Sequence, residues 1–550
     1  MPPLNNLQRS CIGLAIGHAL IVSPALQAAT ITVNSTDDGP VGQVPGCTLR
    51  EAIASTNTQA LQGGCAMTGT GPLDSIDFAL PASSTIVLSE GELEITRTAS
   101  ITGPGATQLS IDAQGNSRIF NIDGSGSDTD TTGTSISGLT LTNGSASGQG
   151  GAVYVRNTTG FTLSDSTISN SYSYSETVTG GGGGGIAILY SVSASISGST
   201  ITSNNSSSTG NLAGAGGILI FGSNSASISG STISNNTSSH DEEEFTRNLG
   251  GGVLIFGSSN SSISGSTISN NAVISTPEAT SGGGIAIFLS DSISISNSTI
   301  SNNSSSQYGG GISIYNGIYI MANLTNISIE GSTISTNVAD GNGGGGGIFL
   351  RGVATILNST ISTNVADGNG GGLNMEGNGT RSRVSIYGST FNGNATINGS
   401  AGGIAFNTAD NLLRVNNNIV ANSVGDDLRS EGCRAYLELI PGNLTFSNWI
   451  EDGSCTLTSR TGDPMLGPLQ DNGGPTLTHA PLPGSGVING VMFPFCDADN
   501  EVPGKTPLDQ RGEPRATVDC FFGAVEGVQE SEDNFFVIPL GNGRSVVAPL

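Results

Sequence analysis

Isoleucine and its apolar substitutes come along this chain in short bursts, and the bursts repeat. Leu141, Ile168, Ile201, Ile233, Ile268, Ile300, Ile334, Ile361, Phe391 and Ile419 align at spacings of 27 to 35 residues. Most are preceded by a glycine run and an apolar-x-apolar triplet, as in GGIAIL at Gly184, GGILIF at Gly216, GGVLIF at Gly251, GGIAIF at Gly283 and GGISIY at Gly310. Within one unit, Ile218 and Ile220 share a strand face by period-two alternation. Ile228 and Ile233 are five apart, so both point inward only if the chain bends near Gly230. The pattern predicts three short strands per repeat, too rich in Ser, Thr and Ile for helices. A unit that cannot bury its apolar face alone buries it by stacking on its neighbours, so the predicted fold is all-β, a parallel β-helix solenoid.

The phrase SGSTISNN stands at Ser229 to Asn236 and again at Ser264 to Asn271. It reads as a structural instruction: Ile233 and Ile268 stack in the core, Gly permits the bend, and Asn adopts left-handed backbone geometry and ladders with its neighbours. The large insertions fall between TISNN and the next glycine run, at Ser171 to Thr179, Ser206 to Ala213, Thr237 to Leu249 and Ala272 to Ser281. They are expected to be loops along one edge of the solenoid. One carries the charge run HDEEEF, His240 to Phe245, which reads as a solvated tip.

Charge and cysteine usage narrow the setting. The 550-residue chain has a formal net charge of −26 and one lysine, Lys505, which excludes nucleic acid and anionic membranes as partners. The first 28 residues read as a secretory signal, with Arg9 before the apolar run Ile12 to Val22 and small residues at Ala28 and Ala29. No later stretch reads as a transmembrane segment. Export makes the six later cysteines disulfide candidates, with Cys47 to Cys65, Cys433 to Cys455 and Cys496 to Cys520 as the local pairs that spacing suggests.

Candidate chemistry is sparse. STISTNVADGNGGG occurs at Ser332 and Ser359, so Asp340 and Asp367 are expected one above the other. A splayed, solvated pair is the ordinary reading, and a shared Ca²⁺ the alternative; no other cofactor is indicated. Arg351 and Glu376 share a register position, three residues after Ile348 and Leu373, which reads as an ion pair between coils with a catalytic acid as the alternative. Phe221, Phe256, Phe288 and Tyr315 occupy that same position and read as a packing ladder in preference to a sugar-binding platform. Two histidines remain after processing, His240 and His479, and neither is expected on a coil strand. No catalytic residue is therefore assigned, and the chain reads more as a non-enzyme than as an enzyme.

Both ends carry a resemblance. CTLREAIASTN, Cys47 to Asn57, resembles the CSLREA segment of bacterial surface β-helix proteins, and its Thr48 and Glu51 form a capping box for a short helix that would cover the first coil. DPMLGPLQDNGGPTLTHAPLPGSGVING from Asp463, DQRGEPR from Asp509 and DCFFGAVE from Asp519 together resemble the choice-of-anchor Q module. The coils between are similar to polymorphic-outer-membrane-type repeats. The resemblance implies a right-handed helix, a bacterial cell-surface or extracellular location, and a role usually without enzymatic activity. Arg511 and Arg515 are expected in a salt-bridged network inside the terminal module.

The expected organisation is a signal peptide at 1–28, an N-terminal cap at 29–74, repeats at 75–430, the C-terminal module at 431–526, and a tail at 527–550 that reads as a hairpin for sorting or capping. The expected function is that of a secreted or surface-associated, non-catalytic, adhesin-like or scaffold protein, a monomer whose loop edge meets glycans or surface proteins of other cells. A polysaccharide lyase or hydrolase is the runner-up, and a purely structural surface or matrix component the third reading.

Overall fold

The computed structural model describes residues 29–126, 129–175, 182–208, 214–240, 248–275, 280–315, 327–377, 382–407, 412–430, 448–454, 459–487, 508–515, 520–527, 535–539 and 545–549. The chain is an all-β, right-handed parallel β-helix. In one coil the chain passes through Ile218–Phe221 (sheet I), Ser227–Ser229 (sheet II), Thr232–Ser234 (sheet III) and Thr237–His240 (sheet IV). Each strand pairs in register with its equivalents one coil away, so that Ile201, Ile233 and Ile268 stack directly. Sheets I to IV contain 12, 14, 14 and 9 strands among the described residues.

The coil thus has four strands where three were expected. The fourth falls in segments that read as loops, because runs such as Thr237, Ser238 and Ser239 show no apolar alternation. Its inward positions are small polar residues, among them Ser206 and Ser238, both buried. After the insertion tips the chain returns through a short sheet V made of Gly214–Ala215, Asn248–Gly250 and Thr280–Gly282. Sheets IV and V together form a narrow fin, and Ser281 hydrogen-bonds Ser305 across it at 2.6 Å. His240, expected in the exposed charge run and off any strand, instead ends a sheet IV strand, is buried, and meets the Ser208 carbonyl. Two residues on from Ser238, it shares that residue's inward face. Asp241 to Phe245 lie outside the described residues.

The corners follow the sequence. Gly230 takes φ 53° between sheets II and III, and Asn297, Asn358 and Asn417 hold φ 49°, 43° and 57° at the same corner in other coils. At the next corner the two asparagines of SNN divide the work. Asn235, Asn270 and Asn302 adopt left-handed geometry on the surface, with φ of 55° to 56°. Asn236, Asn271 and Asn303 are buried and form a ladder, each Nδ2 donating to the next Oδ1 at 3.0 Å. A parallel serine ladder runs beside it, the amide of Ser231 donating to Ser266 Oγ and that of Ser266 to Ser298 Oγ, both at 3.2 Å. These internal bonds satisfy the backbone where it turns and leaves the sheets. The glycine runs serve close approach: a Cβ on Gly251 would lie 2.1 Å from the Gly283 carbonyl oxygen of the next coil.

The ladders run past the expected limits of the repeats. Ala29–Val33 already pairs with Leu73–Phe78, and Asn448–Ile450 and Ser459–Arg460 extend sheet III. The helix Leu49–Thr58 carries the expected capping box of Thr48 and Glu51, and its Leu49, Ala52 and Ile53 enter the core over the first coil. Cys47 and Cys65 form a disulfide. Cys520 is disulfide-bonded, while its expected partner Cys496, as well as Cys433, Cys455 and the signal segment, lie outside the described residues. Phe535–Pro539 and Ser545–Pro549 form the expected antiparallel hairpin of the tail. No described helix is long and apolar enough to cross a membrane.

One register expectation is corrected. Phe391 pairs with Val420, not Ile419. Ile419 faces outward and packs with Trp449, Val487, Cys520 and Phe522, because the C-terminal segment lies over sheet III there. That segment is sewn to the solenoid by buried polar groups. Gln510 accepts from Thr360 Oγ1 at 2.6 Å and donates to Thr333 Oγ1 at 3.0 Å. His479 is buried, with Nε2 2.9 Å from Ser362 Oγ and Nδ1 2.7 Å from the Gly467 carbonyl.

Candidate functional site

Sheet I presents two columns of residues on its outer face. The column at mid-strand runs Ala187, Leu219, Leu254, Ala286 and is buried, since Ala215 and sheet V pack over it. The column at the strand end runs Leu189, Phe221, Phe256, Phe288, Tyr315 in register. Phe221, Phe256, Phe288 and Tyr315 stack face to face at 5.0 to 5.1 Å with interplanar angles of 8° to 23°. The rings use their faces on one another, so the ladder offers edges, and the packing reading holds in preference to a sugar-stacking platform.

The ladder ends where the insertions end. One coil beyond Tyr315 the strand-end column continues with Arg351 and then Glu376. Arg351 Nη2 donates to Glu376 Oε2 at 2.6 Å, as the shared register position predicts. The guanidinium carbon lies 5.4 to 5.7 Å from the ring centres of Phe349, Tyr315 and Tyr308. Burial alone lowers the Arg351 pKa, but the hydrogen bond and charge of Glu376 outweigh it, and the net direction is up. Burial first, and then the Glu376 charge, push the Tyr308 hydroxyl above its ordinary value. The side chains of Arg351 and Glu376 remain 22% and 24% exposed, which brings the cluster to the surface.

At mid-strand the column continues in the same coils with Ser313, Phe349 and Asn374, polar at its first and third members on either side of a buried phenylalanine. Asn374 Nδ2 donates to the Gly343 carbonyl at 2.8 Å and to Glu376 Oε1 at 3.3 Å. Three buried atoms here have no hydrogen-bond partner among the described residues: Ser313 Oγ, Arg351 Nε and Asn374 Oδ1. Sequence reasoning found Arg351 and Glu376 but missed Tyr308, Ser313, Phe349 and Asn374. The available signal was the switch in the apolar-x-apolar triplets, from Ala or Leu at the middle position to Ser313, Phe349 and Asn374.

The other sequence candidates fall elsewhere. Asp340 and Asp367 directly follow the paired residues Ala339 and Ala366 and so occupy matching places in adjacent coils. Asp340 is exposed, and Asp367 Oδ1 accepts from Asn398 Nδ2 at 2.5 Å. No group of three or more His, Cys, Asp or Glu placed to hold a metal occurs among the described residues. Arg511 pairs with Asp509 at 2.8 Å and Arg515 with Glu526 at 3.5 Å, so both arginines work inside the terminal segment. Arg515 also donates to Asn358 Oδ1 at 3.0 Å, tying that network to the solenoid. Asp519 lies outside the described residues.

The family described as the right handed beta helix region matches residues 238–391. No curated protein matches the chain in sequence. Among solved structures, the AlgE4 A-module of a mannuronan C-5 epimerase of Azotobacter vinelandii shares 13% identity, over 70% of this chain and 93% of that one, with a TM-score of 0.32. The AlgE6 A-module from the same organism shares 12% identity, over 68% of this chain and 94% of that one, with a TM-score of 0.30.

Proposed function

We propose that this right-handed β-helix is an exported, non-catalytic recognition protein of a bacterial surface, with a CSLREA-type N-terminal cap and a choice-of-anchor Q-type C-terminal module. The observation that carries the reading is the alignment of the insertions. They leave the coil after the same sheet IV strand, at Tyr172–Ser175, Asn205–Ser208, Thr237–His240 and Ala272–Ile274, and those strands pair in register. The points at which they leave the coil therefore form a row along one edge, where sequence can vary without disturbing the core. The polar ties from Gln510, His479 and Arg515 fit the same reading, because they fix an anchoring segment to coils of the same solenoid beyond those that carry the insertions.

The test is binding of protein spanning 29–550 to bacterial and host cells, before and after replacing residues 176–181, 209–213, 241–247 and 276–279 with short Gly-Ser linkers. These limits spare the strands of sheets IV and V, which a deletion of Thr237 to Leu249 would remove along with the buried His240 and Leu249. Replacement is expected to weaken saturable binding at least tenfold. Binding that survives replacement of all four tips, or release of new chain ends from a polysaccharide panel, overturns the proposal.

A further inference from the structure

We propose that Asn342 is a site of spontaneous covalent modification, where the side-chain amide closes onto the Gly343 backbone nitrogen and water then opens the ring to aspartate or isoaspartate. The inference goes beyond the recognition reading and does not depend on it.

Asparagine followed by glycine is the pair in which this ring closure meets least steric resistance, since glycine has no Cβ to hinder its own amide. Six such pairs fall among the described residues, at Asn143, Asn342, Asn369, Asn392, Asn398 and Asn472. Asn316, Asn378, Asn489 and Asn542, each also followed by glycine, lie outside them. Hydrogen bonding separates one of the six from the rest. Gly144 N donates to Ser171 Oγ at 3.1 Å, Gly399 N to Thr396 Oγ1 at 2.8 Å and Gly473 N to Asp471 Oδ1 at 2.9 Å. Gly370 N donates to the Ala401 carbonyl at 2.8 Å and Gly393 N to that of Ala421 at 3.0 Å. An amide held in this way keeps its proton and stays away from the side chain until the local structure opens. Gly343 N donates to no acceptor among the described residues, and Asn342 is exposed, with no side-chain partner among them.

The cause is a difference of two glycines. Asn342 and Asn369 stand in the same word, STISTNVADGNGGG, one coil apart, but five glycines follow Asn342 and three follow Asn369. Both runs lead into the same sheet I register, where Ile348 pairs with Leu373. The surplus chain is taken up by a turn closed between Gly344 N and the Gly341 carbonyl at 3.4 Å, with Asn342 and Gly343 at its corners. Asn369, on the shorter path, is held by the next coil: its Oδ1 accepts from Ser400 N at 2.8 Å and from Ser400 Oγ at 3.1 Å.

The chemistry balances with water as its only co-reactant. The Gly343 nitrogen gives its proton to solvent and bonds to Asn342 Cγ. The Cγ–Nδ2 bond breaks, and ammonia leaves after taking a proton from solvent. Water then adds to the cyclic imide. Attack at Cγ breaks the new bond and leaves aspartate, whereas attack at the backbone carbonyl breaks the original peptide link and leaves isoaspartate, with one more methylene in the chain. Either product sets a new carboxylate two residues from the exposed Asp340. Isoaspartate also displaces Gly343, whose carbonyl accepts from Asn374 Nδ2 at 2.8 Å and whose Cα lies so close to Tyr308 that a Cβ there would stand 2.2 Å from the ring. Modification therefore strains the connection into sheet I where the aromatic ladder ends.

The experiment is peptide mapping by mass spectrometry of protein spanning 29–550, aged at neutral and alkaline pH, both folded and in urea. The mass gain is followed at each of the six asparagines, and electron-transfer fragmentation separates aspartate from isoaspartate. In the folded protein Asn342 is expected to convert roughly tenfold faster than Asn369, because only Asn369 must wait for local opening. Conversion at Asn342 is expected to speed up at alkaline pH, since the attacking amide must lose its proton. In urea the two are expected to convert at equal rates, as the word around them is the same. Asn342→Gln, whose longer side chain closes the ring poorly, is expected to leave that peptide unmodified. Equal rates at Asn342 and Asn369 in the folded protein overturn the inference, as does faster conversion at any of the other four described pairs. A bias toward Asn342 that persists undiminished in urea overturns the assignment of the site to the turn.

Discussion

Replacing Asn271 with alanine removes four hydrogen bonds from the interior of the solenoid at once. Its Oδ1 accepts from the backbone amide and from Nδ2 of Asn236, both at 3.0 Å, and its Nδ2 donates to Ile233 O at 2.9 Å and to Asn303 Oδ1 at 3.0 Å. The losses are unequal. Asn236 Nδ2 keeps its bond to Ile201 O, and Asn303 Oδ1 keeps the Asn271 amide. The Asn236 backbone N–H has no substitute, and one Nδ2 hydrogen of Asn236 is stranded beside it. A buried donor left unpaired costs about 1 to 3 kcal/mol, so two donors predict a loss of about 4 kcal/mol. Because contacts in a solenoid are between neighbouring coils, the loss is concentrated locally. Hydrogen exchange at the Asn236 amide reads it directly: 4 kcal/mol corresponds to roughly a thousandfold faster exchange. Urea unfolding followed by circular dichroism gives the global value. The neighbouring Asn235→Gly is the control, since Asn235 lies on the surface at φ 56° where glycine is at ease, and it should change stability by less than about 0.5 kcal/mol. A loss below about 1 kcal/mol in Asn271→Ala, with the Asn236 amide still protected, would refute the reasoning that the second asparagine of SNN holds the coils together.

Three further outcomes follow from the packing. Gln510→Ala breaks the bonds to Thr360 and Thr333, both buried, and should destabilise the docked segment by about 3 kcal/mol and speed limited proteolysis within 463–526. Burial holds the His479 pKa below the ordinary 6.5, so the unfolded chain binds more protons than the fold between 6.5 and the lowered value. Stability from this group is present above pH 6.5 and declines as pH falls through that window, and in His479→Gln melts at pH 7 and pH 5 the slope should flatten. Reducing Cys47–Cys65, which closes 18 residues, should cost about 3 kcal/mol and expose the first coil to proteolysis before the rest.

The periodic part of the architecture was written in the sequence because stacking in register is a local rule applied again and again. The inward isoleucines, the left-handed corner at Gly230, the helix cap at Thr48 and the shared position of Arg351 and Glu376 each depend on residues within one coil or the next. Sheet IV and the buried His240 escaped the reading because a strand whose inward residues are serines carries no apolar alternation to detect. The polar cluster was half legible: its strand-end column showed in the alignment, whereas Tyr308 reaches it from a connection whose path no periodicity specifies.

Identical words also acquired different meanings. Thr232, Ile233 and Ser234 form a sheet III strand with its threonine exposed, while Thr333, Ile334 and Ser335 form the same strand fully buried. In both, alternation sends the isoleucine inward, and that much the three letters determine by themselves. Whether the threonine meets solvent or Gln510 depends on a segment more than a hundred residues further along folding back over the coils. The inner face of this protein was set by local repetition, and its outer face by tertiary contacts, because a strand dictates which way its side chains point but not what comes to cover them.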